Sequence, residues 1–246
     1  MATPDDVTAA LLVIGDEILS GRTKDKNIGA VADRMTEVGI RLREVRIVAD
    51  DEADIIGAVN ALRARYTYVF TTGGIGPTHD DITADSMAKA FGVSIDVDPR
   101  ARAVMQAACD SRGLELTPAR LRMARIPEGA ELVEIPVSIA PGFVLGNVIV
   151  MAGIPEIMQV MLDAVTPRLQ KGARMLSESL RLQRPESAIA DIFAEHQRCY
   201  PDVAMGSYPA MREGKPTVDL VLRATDPARL AEAMATLRAK LVRLPG

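Results

Sequence analysis

The sequence predicts an α/β domain with a parallel sheet covered by helices on both faces, followed by a small α+β domain. Over residues 9–92, buried-strand patterns alternate with helical periodicity in the order β-α-β-α-β-α, which is typical of parallel sheets. After about residue 168 the pattern changes to β-α-β-β-α. We therefore divide the chain into a domain at 1–168 and a domain at 169–246.

The elements of the first half follow from local apolar patterns. Residues 9–14 form a continuous apolar run that ends at Gly15, which predicts a buried parallel strand. Apolar residues at helical spacing predict a helix over 27–38 that stops at Gly39. The same reasoning predicts two further strands, at 42–48 and 66–72. It also predicts two further helices, at 52–65 and 83–91.

Four more elements complete the first domain. Residues 144–152 are predicted as one strong buried strand, and Pro155 can open the following helix, 156–169, at its first position. Two other helices are predicted at 98–112 and 118–125.

The predicted second domain is strand 175–183, helix 186–200, strands 203–208 and 217–224, and helix 227–242.

Composition excludes several classes of protein. A chain with 48% hydrophobic and 25% charged residues is ordinary for a globular protein and argues against disorder. The absence of Trp, with only 3% aromatic residues, argues against nucleic-acid partners that need stacking platforms. Cys109 and Cys199 lack metal-ligand spacing and indicate free thiols in a reducing compartment. With no secretory leader and no apolar stretch long enough to span a bilayer, we expect a cytoplasmic protein with no membrane partner.

A glycine-rich junction at residues 69–83, VFTTGGIGPTHDDIT, is the most informative segment. It predicts a buried strand, a tight turn and the start of a helix. Three glycines in four positions allow positive φ and close approach of a ligand, and helix-start amides favour an anion such as phosphate. Asp80 and Asp81 suit a phosphate only if a divalent cation lies between them. The segment therefore predicts a metal-assisted site for a phosphorylated ligand.

Other interpretations of this segment stay open. Thr78 could cap a helix with Asp81 at its third position, as a variant capping box. His79 could be a metal ligand, a general base or a solvated loop residue. The segment is neither a P-loop nor a dinucleotide fingerprint.

Two more strand ends carry carboxylates. Asp16 and Glu17 follow the first strand, and Asp50 with Asp51 follows the second. Ligands bind beyond the carboxyl ends of the strands in such sheets, so we expect these groups to share one edge with the glycine loop. The alternative for Asp16, and for the pair at 50–51, is helix capping.

These motifs resemble the MoaB/Mog molybdopterin-binding family, and most closely the amino-terminal part of the CinA (competence/damage-inducible protein A) family. The matching residues are Gly15–Leu19, Gly21, Asn27, Asp50, Thr72–Thr78 and Asp80–Thr83. The resemblance covers residues 1–168, and the segments APGF at 140–143 and GSYP at 206–209 extend it. It implies a three-layer α/β/α domain with a KH-like appendage, and a homo-oligomer. The expected partner is a small molecule, a nucleotide or a pterin phosphate.

The resemblance also implies roles for individual residues. CinA-type members are associated with divalent-metal-dependent hydrolysis of ADP-ribose-like pyrophosphates, with Mg²⁺, Mn²⁺ or Co²⁺ as the cation; the alternative is a molybdopterin-binding protein of molybdenum-cofactor biosynthesis. The implied catalytic residues are Asp50 and Asp81. The implied metal ligands are Glu17, Asp80 and Asp81. The implied ligand-binding residues are Gly15, Asp16, Glu17, Asn27, Thr72, Gly73, Gly74, Gly76, Pro77, Thr78, Thr83, Gly153 and Pro155.

The sequence departs from the family pattern in the second half of the pocket. Ile157 stands where an acid is expected, and Glu156 is displaced by one position, about 100° round a helix. Ile135 and Ser138-Ile139 replace common Asn and Gly-Thr. A binding or regulatory protein without chemistry is therefore a third hypothesis. Full-length CinA also carries a nicotinamide-nucleotide deamidase domain, which has no counterpart in this sequence, and deamidation is not expected.

Overall fold

The structure is a computed structural model that describes residues 7–136 and 138–242. Residues 1–6, on which the expectation about a secretory leader rests, lie outside the described residues. The chain divides into two compact units between Gly172 and Ala173. Within the described ranges, no helix is long and apolar enough to cross a bilayer.

Eight strands lie in the described part of the first unit. They are β1 Thr8–Ile14, β2 Arg41–Val48, β3 Tyr68–Thr72, β4 Ile95–Val97, β5 Arg125–Pro127, β6 Glu131–Val133, β7 Gly142–Leu145 and β8 Val148–Met151. Six of them form one sheet in the order β2-β1-β3-β8-β7-β6, and β4 pairs with β5 separately. The pairings β2–β1, β1–β3 and β3–β8 are parallel, whereas β8–β7 and β7–β6 are antiparallel. The prediction of a mostly parallel α/β sheet is therefore confirmed.

Helices cover both faces of this sheet. They are α1 Asp16–Leu19, α2 Asn27–Glu37, α3 Glu52–Arg63, α4 Thr83–Phe91, α5 Pro99–Ser111, α6 Pro118–Leu121 and α7 Pro155–Val165. Alternate residues of β1 supply the two cores: Leu12 packs with the cluster that contains Ile55 of α3, and Leu11 packs with the cluster that contains Met35 of α2. Since β1 is buried on both faces, its sequence is a continuous apolar run rather than an alternating one.

The predicted single strand 144–152 is wrong. The segment is a hairpin, in which β7 and β8 are joined by a turn at Gly146 and Asn147. Gly146 has a φ of 58°, and the Asn147 side chain donates hydrogen bonds of 3.0 Å to the carbonyls of Arg63 and Tyr66. Both arms are apolar because both are buried, so periodicity could not separate one long strand from two short ones.

The predicted helix 118–125 is also too long. It ends at Leu121, continues as a 3₁₀ turn at Arg122–Ala124 and enters β5. Three short strands, β4, β5 and β6, were not predicted. A three-residue strand is too short to leave a periodic signal.

The second unit is a three-stranded antiparallel sheet with helices. Its elements are β9 Leu176–Leu182, α8 Ala190–Cys199, β10 Ala204–Arg212, β11 Lys215–Ala224 and α9 Pro227–Val242. The strand order is β10-β11-β9, and Val218, Leu220 and Leu222 of β11 form a core with Leu237. This is the predicted β-α-β-β-α order, and the likeness to a KH domain stays a prediction.

A buried histidine lies in the core of the second unit. His196 of α8 is fully buried, and its Nε2 lies 2.9 Å from the carbonyl oxygen of Ala233. Because a carbonyl only accepts, Nε2 carries the proton and Nδ1 is unprotonated. Nδ1 is buried and has no hydrogen-bond partner among the described residues. Burial is the main reason why the pKa of His196 is lowered from 6.5.

We expect the second unit to lose stability in mild acid. The folded pKa of His196 is below its unfolded value, so its contribution is present above about pH 6.5 and is lost as the pH falls through the folded pKa. His196→Gln keeps a donor for Ala233 and does not titrate, so it should flatten this dependence. Urea unfolding at several pH values between 7.5 and 5 measures the effect. An equally steep loss of stability in both proteins would contradict it.

Candidate functional site

A cavity of about 500 Å³ opens where β1, β3 and β8 end. Eight of the predicted site residues line it: Glu17, Gly73, Gly74, Gly76, Pro77, Asp81, Gly153 and Pro155. They come from loops that are distant in sequence but share the carboxyl edge of the sheet, as the topology requires.

The backbone of the glycine loop leaves no room for side chains. Gly73 has a φ of 104° and Gly74 a φ of 65°. A Cβ atom on Gly73 would lie 2.1 Å from the carbonyl oxygen of Ile14, and one on Gly74 would lie 2.1 Å from Oγ1 of Thr83. The loop therefore packs directly on the end of β1 and on the start of α4.

Only part of the glycine loop can bind an anion. The amide of Gly73 donates to the carbonyl of Met151 at 3.2 Å, and the amide of Gly76 donates to Oδ1 of Asp81 at 2.7 Å. Within the described part of the chain, the amides of Gly74 and Ile75 donate to no acceptor. The sequence predicts a phosphorylated ligand at this segment, and the structure leaves the amides of Gly74 and Ile75 for it.

Asp81 holds the loop closed. Its carboxylate accepts from the amide of Gly76, and from the amide and the hydroxyl of Thr78 at 2.8 and 2.6 Å. Helix α4 begins only at Thr83 and has no side-chain cap, so the interpretation of Thr78 as its cap is wrong. Asp81 also lines the cavity. The same carboxylate therefore fixes the conformation of the loop and faces the space for a ligand.

Several predicted ligand contacts stand behind the wall of the cavity. The buried Thr83 donates its hydroxyl to the carbonyl of Gly73 at 3.0 Å. Asn27, only 4% exposed, donates to the carbonyl of Gly153 at 2.8 Å. Thr72 is buried, and the amide of Gly15 donates to the carbonyl of Val48. These four residues support the cavity from behind. The predicted ligand-binding residues that do not line it are Gly15, Asp16, Asn27, Thr72, Thr78 and Thr83.

Asp50 and Asp80 are also absent from the lining of the cavity, but Asp50 lies near other carboxylates. Asp50 is partly buried, and its Oδ2 accepts the amide of Asp16 at 3.0 Å. Burial raises the pKa of Asp50, and the negative charges of Glu17, Asp16 and Asp80 raise it further. Acidic groups from three separate strand ends therefore come together, as the sequence predicts.

Capping explains only one of the neighbouring carboxylates. Asp51 is the N-cap of α3 and accepts from the amides of Ala53 and Asp54 at 2.9 and 3.1 Å. Asp16 caps no helix with its side chain. The capping interpretation is thus right for Asp51 and wrong for Asp16 and Asp50.

His79 lies outside this arrangement. Its side chain is 96% exposed, and its Nδ1 lies 3.9 Å from a carboxylate oxygen of Asp80. It is a solvated loop residue, which was one of the three interpretations left open.

The predicted metal ligands do not form a preformed cage. Within residues 7–136 and 138–242, no group of three or more His, Cys, Asp or Glu side chains is arranged to hold a metal ion. Glu17, Asp80 and Asp81 nevertheless offer oxygen donors. Mg²⁺ is usually held by one or two carboxylates together with substrate phosphates and water. The oxygen donors of these residues fit a cation of that kind.

Sequence reasoning missed most of the apolar lining. Ile157 and Ser138, which the sequence shows as departures from the family, line the cavity, as do Ile75 of the glycine loop and Ala140 of the APGF segment. The lining residues that lie outside every motif are Thr23, Met123, Ala152, Ile154 and Met161. Methionine and isoleucine have the same pattern in a core and in a pocket wall, so periodicity could not reveal them.

Comparisons with known proteins agree with this architecture. Residues 10–171 match the family model of a probable molybdopterin binding domain, and residues 174–243 match the model of the FAD synthase middle domain. A protein of Aeropyrum pernix is 36% identical over 220 residues, which cover 85% of this chain and 82% of that protein.

Several of the relatives carry the CinA name. A CinA-like protein of Desulfosudis oleivorans is 34% identical, over 80% of this chain and 51% of its own length, so the chain spans about half of it. The crystal structure of CinA from Thermoplasma acidophilum, described as of unknown function, is 34% identical with a TM-score of 0.61 and covers 67% of this chain and 98% of that one. The chain therefore belongs to the MoaB/Mog-type molybdopterin-binding-domain family and groups with its CinA-like members.

Proposed function

We propose that this protein hydrolyses the phosphoanhydride bond of a nucleotide such as ADP-ribose with the help of a divalent cation. One observation carries the proposal: the same cavity contains two loop amides without an acceptor and two carboxylates. The amides are those of Gly74 and Ile75, and the carboxylates are those of Glu17 and Asp81. Amides bind phosphoryl oxygens, whereas carboxylates repel them. No Lys or Arg is among the described residues that line this cavity, so a cation must accompany the ligand.

The chain's own residues have separable tasks. The amides of Gly74 and Ile75 hold an oxygen of the phosphoryl group that is attacked. The apolar wall of Ile154, Ile157 and Met161 packs against the less polar end of the ligand. The cation, when bound, neutralises charge on the phosphoryl oxygens.

Asp50 does not line the cavity, but it accepts the amide of Asp16, the residue before the lining Glu17, and it is our candidate for the general base. Its raised pKa makes it a stronger base than an ordinary carboxylate. It takes a proton from water while the water oxygen forms a bond to phosphorus and the anhydride P–O bond breaks. With ADP-ribose, the products are AMP and ribose 5-phosphate.

A pair of adjacent variants tests this role. Asp50→Asn keeps an acceptor for the amide of Asp16, yet it should lower the release of AMP from ADP-ribose by about 100-fold or more, because it removes the base. Asp51→Asn is the matched control, since Asn caps a helix as well as Asp does. The assay uses Mg²⁺, Mn²⁺ or Co²⁺, with chelator as the blank, and FAD as a second substrate. Full activity of Asp50→Asn would refute the role.

The second candidate function is molybdopterin binding in molybdenum-cofactor biosynthesis, either by adenylyl transfer or by binding alone. It is favoured by the family model that matches residues 10–171, and the same loop would hold the pterin phosphate. Stoichiometric binding of molybdopterin without release of AMP from any dinucleotide would favour it over hydrolysis.

A further inference from the structure

A small recess lies on the other flank of the glycine loop, beside α4. Its volume is about 20 Å³, and it shares Gly74, Ile75, Gly76, Asp81 and Met123 with the main cavity. Gly74 and Ile75, whose amides are free, therefore border both spaces. The recess has room for about one water molecule, so a second ligand group would rest at its mouth rather than inside it.

Two arginines line this recess, and only one of them is available to a ligand. Arg125 forms a bidentate ion pair with Asp85, at 2.7 and 2.8 Å. Arg122 lines the same recess and makes no ion pair or side-chain hydrogen bond within the described part of the chain. Among the described residues that line either space, Arg122 is thus the one cation without a carboxylate partner.

The backbone that carries Arg122 is held firmly. The 3₁₀ turn Arg122–Ala124 ends at a fully buried alanine, whose carbonyl accepts the amide of Asp98 at 2.9 Å. Met123 packs against the core, and the Arg125–Asp85 pair joins the following residue to α4. The exposed guanidinium therefore extends from a fixed point beside the loop.

We propose that Arg122 binds the second phosphoryl group of a diphosphate ligand whose first phosphoryl group lies on the amides of Gly74 and Ile75. This inference rests on the proposed function and names the residue that distinguishes a diphosphate from a monophosphate. A guanidinium forms paired, charge-assisted hydrogen bonds with phosphate oxygens, and an ammonium or amide would replace it poorly.

Binding of a non-hydrolysable ligand tests the proposal without relying on turnover. Affinities for α,β-methylene-ADP and for AMP are measured by calorimetry with Mg²⁺ present. Wild-type protein should bind the diphosphate more tightly. Arg122→Gln should weaken diphosphate binding by about tenfold or more and leave AMP binding unchanged, because one charged hydrogen-bonding group is lost. Arg102→Gln, an exposed charge change on α5 that lines neither space, should alter neither affinity.

Each outcome has a defined meaning. A diphosphate preference that survives in Arg122→Gln overturns the proposal, and so does wild-type protein that fails to prefer or to bind the diphosphate. If the preference disappears in Arg122→Gln but the wild type releases no AMP from any dinucleotide, the proposed hydrolysis fails while the diphosphate site stands.

Discussion

Asp81→Asn should abolish hydrolysis and loosen the glycine loop at the same time. The carboxylate accepts three hydrogen bonds, from the amide of Gly76 and from the amide and hydroxyl of Thr78. An asparagine has one acceptor oxygen, and its NH₂ group must face one of these donors. We expect kcat/KM for AMP release to fall about 100-fold or more, since misplaced binding groups are costly, and stability to fall by about 1–3 kcal/mol.

Hydrogen exchange separates the two effects. The amides of Gly76 and Thr78 should exchange faster in Asp81→Asn than in wild type, while the strands keep their protection. Asp33→Asn makes the same change at an exposed position of α2 and should affect neither activity nor exchange. Thr78→Val removes only the hydroxyl bond and should have an intermediate effect. Protected loop amides and full activity in Asp81→Asn would refute this view of the loop.

Gly73→Ala should destabilise the first unit more than a Gly→Ala substitution at any other glycine of the loop. The new Cβ would lie 2.1 Å from the carbonyl oxygen of Ile14, and the residue would have to keep a φ of 104°. The contact is with backbone of the buried strand β1, which cannot move aside as a flexible side chain can. Backbone strain and overpacking each cost about 1–3 kcal/mol, so the expected loss is about 2–6 kcal/mol.

A helical glycine provides the matched comparison. Gly57 of α3 has nothing within 4 Å of an added Cβ, so Gly57→Ala should leave the unit unchanged or stabilise it by up to about 1 kcal/mol. Urea unfolding midpoints of the two variants measure the difference. If Gly73→Ala unfolds at the wild-type midpoint, the loop does not pack on β1 as described.

Several features of the fold and of the site followed from local sequence. The boundaries of α4 were predicted at both ends, because Gly92 stops the helix and Thr83 starts it. The junctions after β1, β2 and β3 were placed on one sheet edge by the alternating order of elements, and the hydrogen bond of 3.0 Å from the amide of Asp16 to Oδ2 of Asp50 shows that the first two of them meet. The β7–β8 hairpin was missed, because its two arms have the same apolar pattern as one long strand.

The sequence by itself determined the order of strands and helices over residues 9–92 and which loops meet at the ligand edge, since periodicity, glycine stops and strand direction are local properties of the chain. Only the tertiary structure decided which groups there are free. The amide of Gly73 donates to the carbonyl of Met151, and the side chain of Asn27 donates to the carbonyl of Gly153. The guanidinium of Arg125 is paired with the carboxylate of Asp85. Each of these partners is distant in sequence, and no pattern along a chain specifies a hydrogen bond between residues that meet only on folding.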